Sequence, residues 1–543
     1  MKKAIAAIFF CAAFLTFTAE AQETKRTRVV VSPMPTVSPT PKTSPSPTVS
    51  PTPLSTPIPT PTVGAGGQSL AELQSKIRSV LSRPSLERGR IGVKIVSLDT
   101  GKVIFEEAGE KFFMPASNMK NFTVAAALEK LTPDFRFVTS VYATSPVEAN
   151  GTIRGDLIIY GRGDPSISTA FNDKDYFRGM NNLVDKIIAA GVKNIEGSLI
   201  GDESYFTGEA VPETWEWDDL QWYYGAEISA LTVNDNSLDL IVRPGDAVGA
   251  PASVQLLPAG NGVQLVNNAL TGAAGSARTI GIRRRIGTNV IEVYGSIPKG
   301  SGAYTNYVSV PKPAMFFVSM LRQLLEQRGV RIKGATRTVD AEFRRLSPLP
   351  ENIVEIAKLE SPPLSLIAQK TMKPSQNLYT ELILRALGES VGDKSNPRLT
   401  SKDRGIAVVD NFLKEIGAAP GSVLMYDGSG LSRHNLITPN AAAQLYVYMD
   451  RSRYAQAWRD SLTIGGVDGT LQRRFKGTRG AGNVRGKTGT IDQVSTLSGY
   501  VTTASGERLV FSILTNNIPN ASLRTSTIDE IVLLLVNFNG KSN

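Results

Sequence analysis

Two side chains are almost missing from this sequence. Its 543 residues include one cysteine and one histidine. No disulfide can close within the chain. A zinc site built from His and Cys ligands is excluded. A Ser–His–Asp mechanism would have to run through His434, and no G-x-S-x-G elbow accompanies any serine, so His434 reads as structural. Long apolar runs are also scarce. Beyond the N-terminus no run of about eighteen apolar residues suggests a membrane span. There is no dense basic stripe either. The formal charge is +10, a mild excess that does not imply a nucleic-acid partner. Arg283-Arg284-Arg285 reads as a solvated face. The anionic partners left open are cell-wall polymers and membrane surfaces.

What is present divides the chain. Residues 1–21 read as an export signal: Lys2 and Lys3 precede an apolar stretch from Ala4 to Thr18, and Ala19-Glu20-Ala21 is an A-x-A cleavage pattern. Cys11 would be discarded with it. Residues 22–68 are a Pro/Ser/Thr-rich linker, exemplified by Ser38-Pro39-Thr40-Pro41. Such a segment cannot bury a core and extends by roughly 3 Å per residue. From Ser69 onward the hydrophobic content, 41% over the chain, supports folded material. Ser69 and Glu72 form a capping-box pattern for a helix to Leu81. Ile91–Val96 and Val103–Phe105 read as strands around Asp99-Thr100-Gly101. Helices fit 117–131, 315–327, 376–387, 404–416 and 528–536. Leu497–Val501 and Leu509–Leu514 flank Ala504-Ser505-Gly506 as a hairpin. Between about 138 and 310 short strands with glycine turns dominate.

Three short motifs carry chemistry. Ser117-Asn118-Met119-Lys120 puts an amine on the helix face of a hydroxyl. A neutral lysine can take the serine proton if burial or a second cation lowers its pKa. A decoy, Ser296-Ile297-Pro298-Lys299, has a proline and flanking glycines that argue against a helix. Ser375-Gln376-Asn377 offers a proton-relaying hydroxyl and a carbonyl-binding amide, although such triplets usually cap helices. Lys487-Thr488-Gly489 enters the late hairpin. On a strand Lys487 and Gly489 face one side and Thr488 the other. A phosphate loop is discarded, since its pattern needs glycine where Ala481 stands.

The ordered set S-x-x-K, S-x-N, K-T-G resembles the serine penicillin-recognising enzymes. Pro115-Ala116-Ser117, Pro133–Phe137, Gly155-Asp156-Leu157, Gly163-Asp164-Pro165, Asp427–Arg433 and Gly466–Leu471 extend the likeness. Together they resemble the D-alanyl-D-alanine carboxypeptidase/endopeptidase family, the class C low-molecular-mass penicillin-binding proteins. The wide gap from Lys120 to Ser375 fits that family, which fills it with inserted domains. The resemblance implies an α/β (α+β) fold of the β-lactamase/DD-peptidase type: an antiparallel sheet flanked by helices, formed by residues 69–137 and 362–543. Residues 138–361 would be a β-rich insert.

By the same resemblance, Ser117 is the acylated nucleophile and Lys120 its base. Ser375 relays a proton between Lys120 or Lys487 and the leaving D-alanine. Asn377 binds the peptide carbonyl. Lys487 adds positive potential and attracts the terminal carboxylate, which Thr488 and Thr490 hydrogen-bond, while Gly489 lets the substrate backbone lie against the strand. The N–H groups of Ser117 and Thr490 form the oxyanion hole. Arg433 lines the pocket for the peptide side chain, and Asp219 or Asp218 binds the free amine of diaminopimelate. The surrounding tryptophans read as an aromatic core docking the insert. Gln376, where relatives often have Asp, is expected to affect packing more than chemistry. No metal or cofactor is implied. The partners implied are peptidoglycan peptides as substrates and β-lactams as inhibitors. The alternatives are a β-lactamase of the same superfamily and a non-catalytic wall-binding protein.

Overall fold

The computed structural model describes residues 67–542 apart from Asn261 and Ile286. The expected export signal, and all but the last two residues of the expected linker, lie outside them. Helix α1 (Leu70–Leu81) starts where the sequence predicts: Ser69 Oγ accepts the Glu72 N–H at 3.2 Å and the Glu72 carboxylate accepts the Ser69 N–H at 2.8 Å. Strands β1 (Arg90–Ser97) and β2 (Val103–Glu107) follow. Far along the chain come β3 (Thr463–Ile464), β4 (Arg485–Ile491), β5 (Val494–Thr502) and β6 (Arg508–Asn516). They form one antiparallel sheet in the order β3-β4-β5-β6-β1-β2.

Both faces of that sheet are covered, so β5 and β6 are buried on both sides. Phe511 and Ile513 pack under α1 and the last helix, α5 (Ala521–Asn537), with Leu73, Ile77 and Val532. Val510 and Leu514 point the other way, into a core with Met119, Phe122, Ile383 and Trp458. That second layer contains α2 (Lys120–Lys130), α3 (Asn377–Ser390) and α4 (Ser401–Glu415). The fold is therefore mixed α/β, with an antiparallel sheet between helices.

Residues 141–332 supply a separate apolar core. It packs on a five-stranded mixed sheet in the order Thr336–Val339, Leu199–Asp202, Leu157–Tyr160, Val138–Ala143, Val354–Glu360. The strand-rich reading missed a helix here, Arg178–Ala189, whose inner face is Met180, Leu183, Val184 and Ile187. The i, i+3, i+4, i+7 spacing was visible in the sequence. Helix Pro313–Gln327 packs beside it. The decoy Ser296–Lys299 falls on the strand Val290–Pro298 and its end, not on a helix. Among the described residues no helix is long and apolar enough to cross a membrane.

Candidate active site

Three separated segments meet beside β4. The first is a 3-10 turn, Ala116–Met119, leading into α2. In a 3-10 turn side chains at i and i+3 nearly eclipse, which aligns Lys120 with Ser117 more closely than the α-helix expected there. The turn is stapled to the sheet by Asn118, whose Nδ2 donates to Lys487 O at 2.9 Å and to Thr496 Oγ1 at 2.7 Å. Thr496 Oγ1 in turn donates to Pro115 O at 2.9 Å. Ala116 (φ 47°) and Ser375 (φ 67°) are both non-glycine residues in the left-handed region. Strain of this kind, of order 1–3 kcal/mol each, persists where the surroundings over-determine the backbone, and it concentrates at functional sites.

Lys120 has no exposed surface. Its Nζ lies 2.9 Å from Ser117 Oγ, 2.6 Å from Asn377 Oδ1 and 2.6 Å from the carbonyl oxygen of Ser429. The second and third partners can only accept. A neutral amine has two N–H groups for those two oxygens. Its lone pair is then left facing the Ser117 hydroxyl. Burial lowers the Lys120 pKa to about 7, against the opposing pull of Asp427 and Glu381. So the geometry and the electrostatics agree on an amine able to receive the serine proton near neutral pH.

Lys487 is equally buried. Its Nζ donates to Ser375 Oγ at 2.8 Å and to Thr488 O at 2.9 Å. Burial first, and the charge of Lys120 second, hold its pKa well below the usual lysine range. The network therefore has two arms, Ser117–Lys120–Asn377 and Ser375–Lys487. Gly489 lies against the first: a Cβ there would come 2.5 Å from Pro115 O and 3.0 Å from Ser117 N. The Thr488 hydroxyl donates to Thr470 Oγ1 at 2.6 Å, and Thr490 is exposed. Thr470 belongs to the Gly466–Leu471 run, where Asp468 also pairs with Lys373 just before Ser375. Gln376 accepts the Leu378 N–H at 3.2 Å and so caps α3, a local packing role.

Arg433 and Asp219 stand further out. Arg433 Nε pairs with Glu216 at 2.9 Å, and its NH1 donates to Asp492 O at 3.2 Å, so it ties the 212–225 loop to the β4–β5 turn. The Asp219 carboxyl is pushed up to about 6 by burial and by Asp218 and Glu216. It hydrogen-bonds the Tyr224 side chain, and the Tyr224 backbone oxygen accepts from Asn377 Nδ2 at 2.9 Å. This relay joins Asp219 to the motif residue Asn377.

Other expectations are corrected by position. Trp215 does pack with Leu378, Tyr379 and Leu382, and its Nε1 donates to Asp427 at 2.8 Å. Trp217 is 71% exposed and is not core. It lines a cavity of about 800 Å³ with Arg284, Glu227 and Lys312, a cavity containing none of the motif residues. Arg284 is not on a solvated face: strand alternation turns it inward, where it donates to Ser309 Oγ at 2.7 Å and Leu220 O at 3.1 Å. His434 contacts Tyr426, with ring centroids 5.4 Å apart. Sequence reasoning missed three groups. The Ser429 carbonyl and Asp427 sit in a run already singled out. Glu381 is four residues after Asn377, a spacing that places both on one helix face.

Residues 73–537 match the model of the D-Ala-D-Ala carboxypeptidase 3 (S13) family. The D-alanyl-D-alanine carboxypeptidase of Actinomadura sp. (strain R39) is 36% identical over 465 residues, covering 83% of this chain and 82% of that one. The D-alanyl-D-alanine carboxypeptidase DacB of Haemophilus influenzae is 26% identical over 457 residues, 83% of this chain and 90% of that one. The crystal structure of penicillin binding protein 4 from Haemophilus influenzae matches with a TM-score of 0.72 at 22% identity, covering 85% of this chain and 99% of that one. At that identity the likeness is one of fold.

Proposed function

The chain belongs to the D-Ala-D-Ala carboxypeptidase 3 (S13) family, and from that premise we propose that Ser117 and the two buried lysines run its reaction. The protein is a serine-type D-Ala-D-Ala carboxypeptidase. Ser117 Oγ attacks the carbonyl carbon of the D-Ala-D-Ala bond while its proton passes to Lys120 Nζ. The resulting oxyanion is held by the N–H groups of Ser117 and Thr490, each such donor contributing roughly 2.7–4 kcal/mol to transition-state stabilisation. The C–N bond then breaks. The departing D-alanine amine takes a proton through Ser375, and the 2.8 Å contact with Lys487 supports Lys487 as its supplier. The proton that Lys120 took from Ser117 then restores Lys487, leaving the Lys120 amine neutral. Lys120 takes a proton from the attacking water and returns it to Ser117 Oγ as the acyl bond breaks. Asn377 orients the peptide carbonyl. Lys487, Thr488 and Thr490 receive the terminal carboxylate, with Gly489 leaving room for the substrate backbone. Arg433 and Asp219 are assigned to the peptide side chain.

The observation that carries this reading is the Lys120 environment: two obligate acceptors, one hydroxyl and no exposed surface. We also assign cleavage of D-alanyl-diaminopimelate cross-links, which needs the same groups, and acylation by β-lactams to a slowly hydrolysed acyl-enzyme. The catalytic body is residues 69–137 and 362–543, with 138–361 inserted, a division supported by the separate apolar cores. The sequence of residues 1–21 supports export to the cell envelope, and the Pro-rich segment a spacer there.

The test is the intact mass of the protein after benzylpenicillin treatment, beside Ser117→Ala. A single lasting adduct absent from the variant is expected, followed by D-alanine release from muropeptide pentapeptides. Intact drug with no adduct would favour a non-catalytic wall-binding protein. Hydrolysed drug with no adduct would favour a β-lactamase.

A further inference from the structure

Lys120 hydrogen-bonds the loop 427–432 at the carbonyl oxygen of Ser429. The other side of the same residue is held by a carboxylate. Ser429 N–H donates to Glu381 Oε1 at 2.7 Å. Glu381 is fully buried on α3, one turn beyond Asn377, which holds Lys120 directly. The carboxylate also interacts with the Gly428 backbone N–H and the Ser429 side chain. A buried carboxylate is costly unless hydrogen bonds hold it, and the proposed reaction does not use this one.

We propose that Glu381 is a positioning residue for acylation: through Ser429 it fixes the carbonyl that orients the Lys120 amine, and its charge sets how readily that amine holds a proton. The inference rests on Lys120 being the base. The geometry supplies the first half. The carboxylate fixes the Ser429 N–H, so the Ser429 carbonyl is aimed at Lys120, while Thr123 Oγ1 anchors the adjacent Gly428 carbonyl at 2.9 Å. The electrostatics supply the second half. The charged groups around Lys120 are Glu381 on α3, Asp427 on the loop and Lys487 on β4. Glu381 and Asp427 favour the ammonium form of Lys120, while Lys120 and Lys487 disfavour each other's charge. Arg385, one turn further along α3, partly offsets Glu381. Asp427 is already committed to Gly430 N, Ser432 N, Trp215 Nε1 and Asn435 Nδ2. Burial first, and the charge of Asp427 second, raise the Glu381 pKa to about 7. Its charge therefore responds to pH in the range where Lys120 must lose its proton.

The experiment uses the full chain and the second-order rate constant for acylation by benzylpenicillin, measured from pH 5 to 9. Glu381→Gln keeps an acceptor for Ser429 N–H and removes the charge. Its alkaline plateau should stay within about threefold of wild type, while the acid limb moves to lower pH by about half a unit or more. Glu381→Ala removes the acceptor as well, and its plateau should fall roughly tenfold, with Gln rather than Ala preserving it. A Gln variant with an unmoved acid limb would overturn the proposal and leave Lys120 as base. A wild-type profile with no limb near neutrality would overturn the Lys120 reading and this inference with it.

Discussion

A lysine with no exposed surface and two carbonyl-type acceptors has little use for its charge. With a pKa lowered to about 7, the fraction of neutral Lys120 rises about tenfold per pH unit below neutrality and then levels off. Acylation of wild type by benzylpenicillin should follow that curve. Lys120→Arg keeps the positive charge but cannot supply a neutral amine. It should slow acylation by about 10²- to 10⁴-fold, read by loss of the covalent adduct at a fixed time. Gly489 makes a second prediction. Its missing side chain is the space occupied by Thr496 Oγ1, 2.3 Å from an ideal Cβ, and by the Pro115 carbonyl at 2.5 Å. Gly489→Ala must move the backbone that presents Ser117. A displacement of that kind should cost about 100-fold in acylation, with a stability loss of only about 1–3 kcal/mol by denaturant melt.

Helix α3 is the element that joins the two halves of the problem. One face holds Asn377 and Glu381 toward Lys120 and Ser429. Another carries Tyr379, whose hydroxyl lies 2.8 Å from Ser168 Oγ and donates to Asp235, both outside the catalytic sheet. Its back runs against α4 at two glycines. A Cβ on Gly388 would sit 2.1 Å from Ser401 O, and one on Gly405 would sit 2.1 Å from Leu384 O. Backbone cannot yield as a flexible side chain can. Gly388→Ala or Gly405→Ala should therefore lower the urea midpoint by an amount equivalent to about 1–3 kcal/mol or more, although alanine is the better helix former. Gly302→Ala, where a Cβ would meet nothing within 4 Å, should stay within about 0.5 kcal/mol of wild type.

For the molecule as a whole, burying Lys120 and Lys487 makes stability depend on pH. Lys120 is lowered from 10.5 to about 7 in the fold, so between those values the unfolded chain binds more protons. Stability then rises with pH across that window, and the contribution is lost as pH falls toward 7. The buried tyrosines Tyr379 and Tyr446 oppose this at higher pH, since burial holds their hydroxyls protonated in the fold. The urea midpoint should thus increase from pH 7 to 9, and Lys120→Met should remove part of that slope. A midpoint independent of pH in both proteins would count against a neutral buried amine.

The sequence by itself determined the chemical alphabet and much of the local structure. One histidine and one cysteine left serine and lysine as the residues able to do acyl transfer, and the order of three motifs with a long gap carried the resemblance to a family. Periodicity and capping located α1, the β5–β6 hairpin and the cores of α3 and α4, because those signals lie within a turn or two of chain. Periodicity also contained the helix Arg178–Ala189, overlooked among glycine turns. Tertiary structure alone decided the rest. Whether Lys120 is neutral depends on burial against residues hundreds of positions away, such as Asn377 and Ser429. Ser375 falls to Lys487 rather than Lys120 because β4 passes beside it. Trp215 and Trp217, two residues apart, part company because one finds Asp427 and the other finds solvent. A pattern of nearest neighbours fixes what a residue can do. Desolvation and partner distance, which only the assembled fold sets, fix which of those things it does.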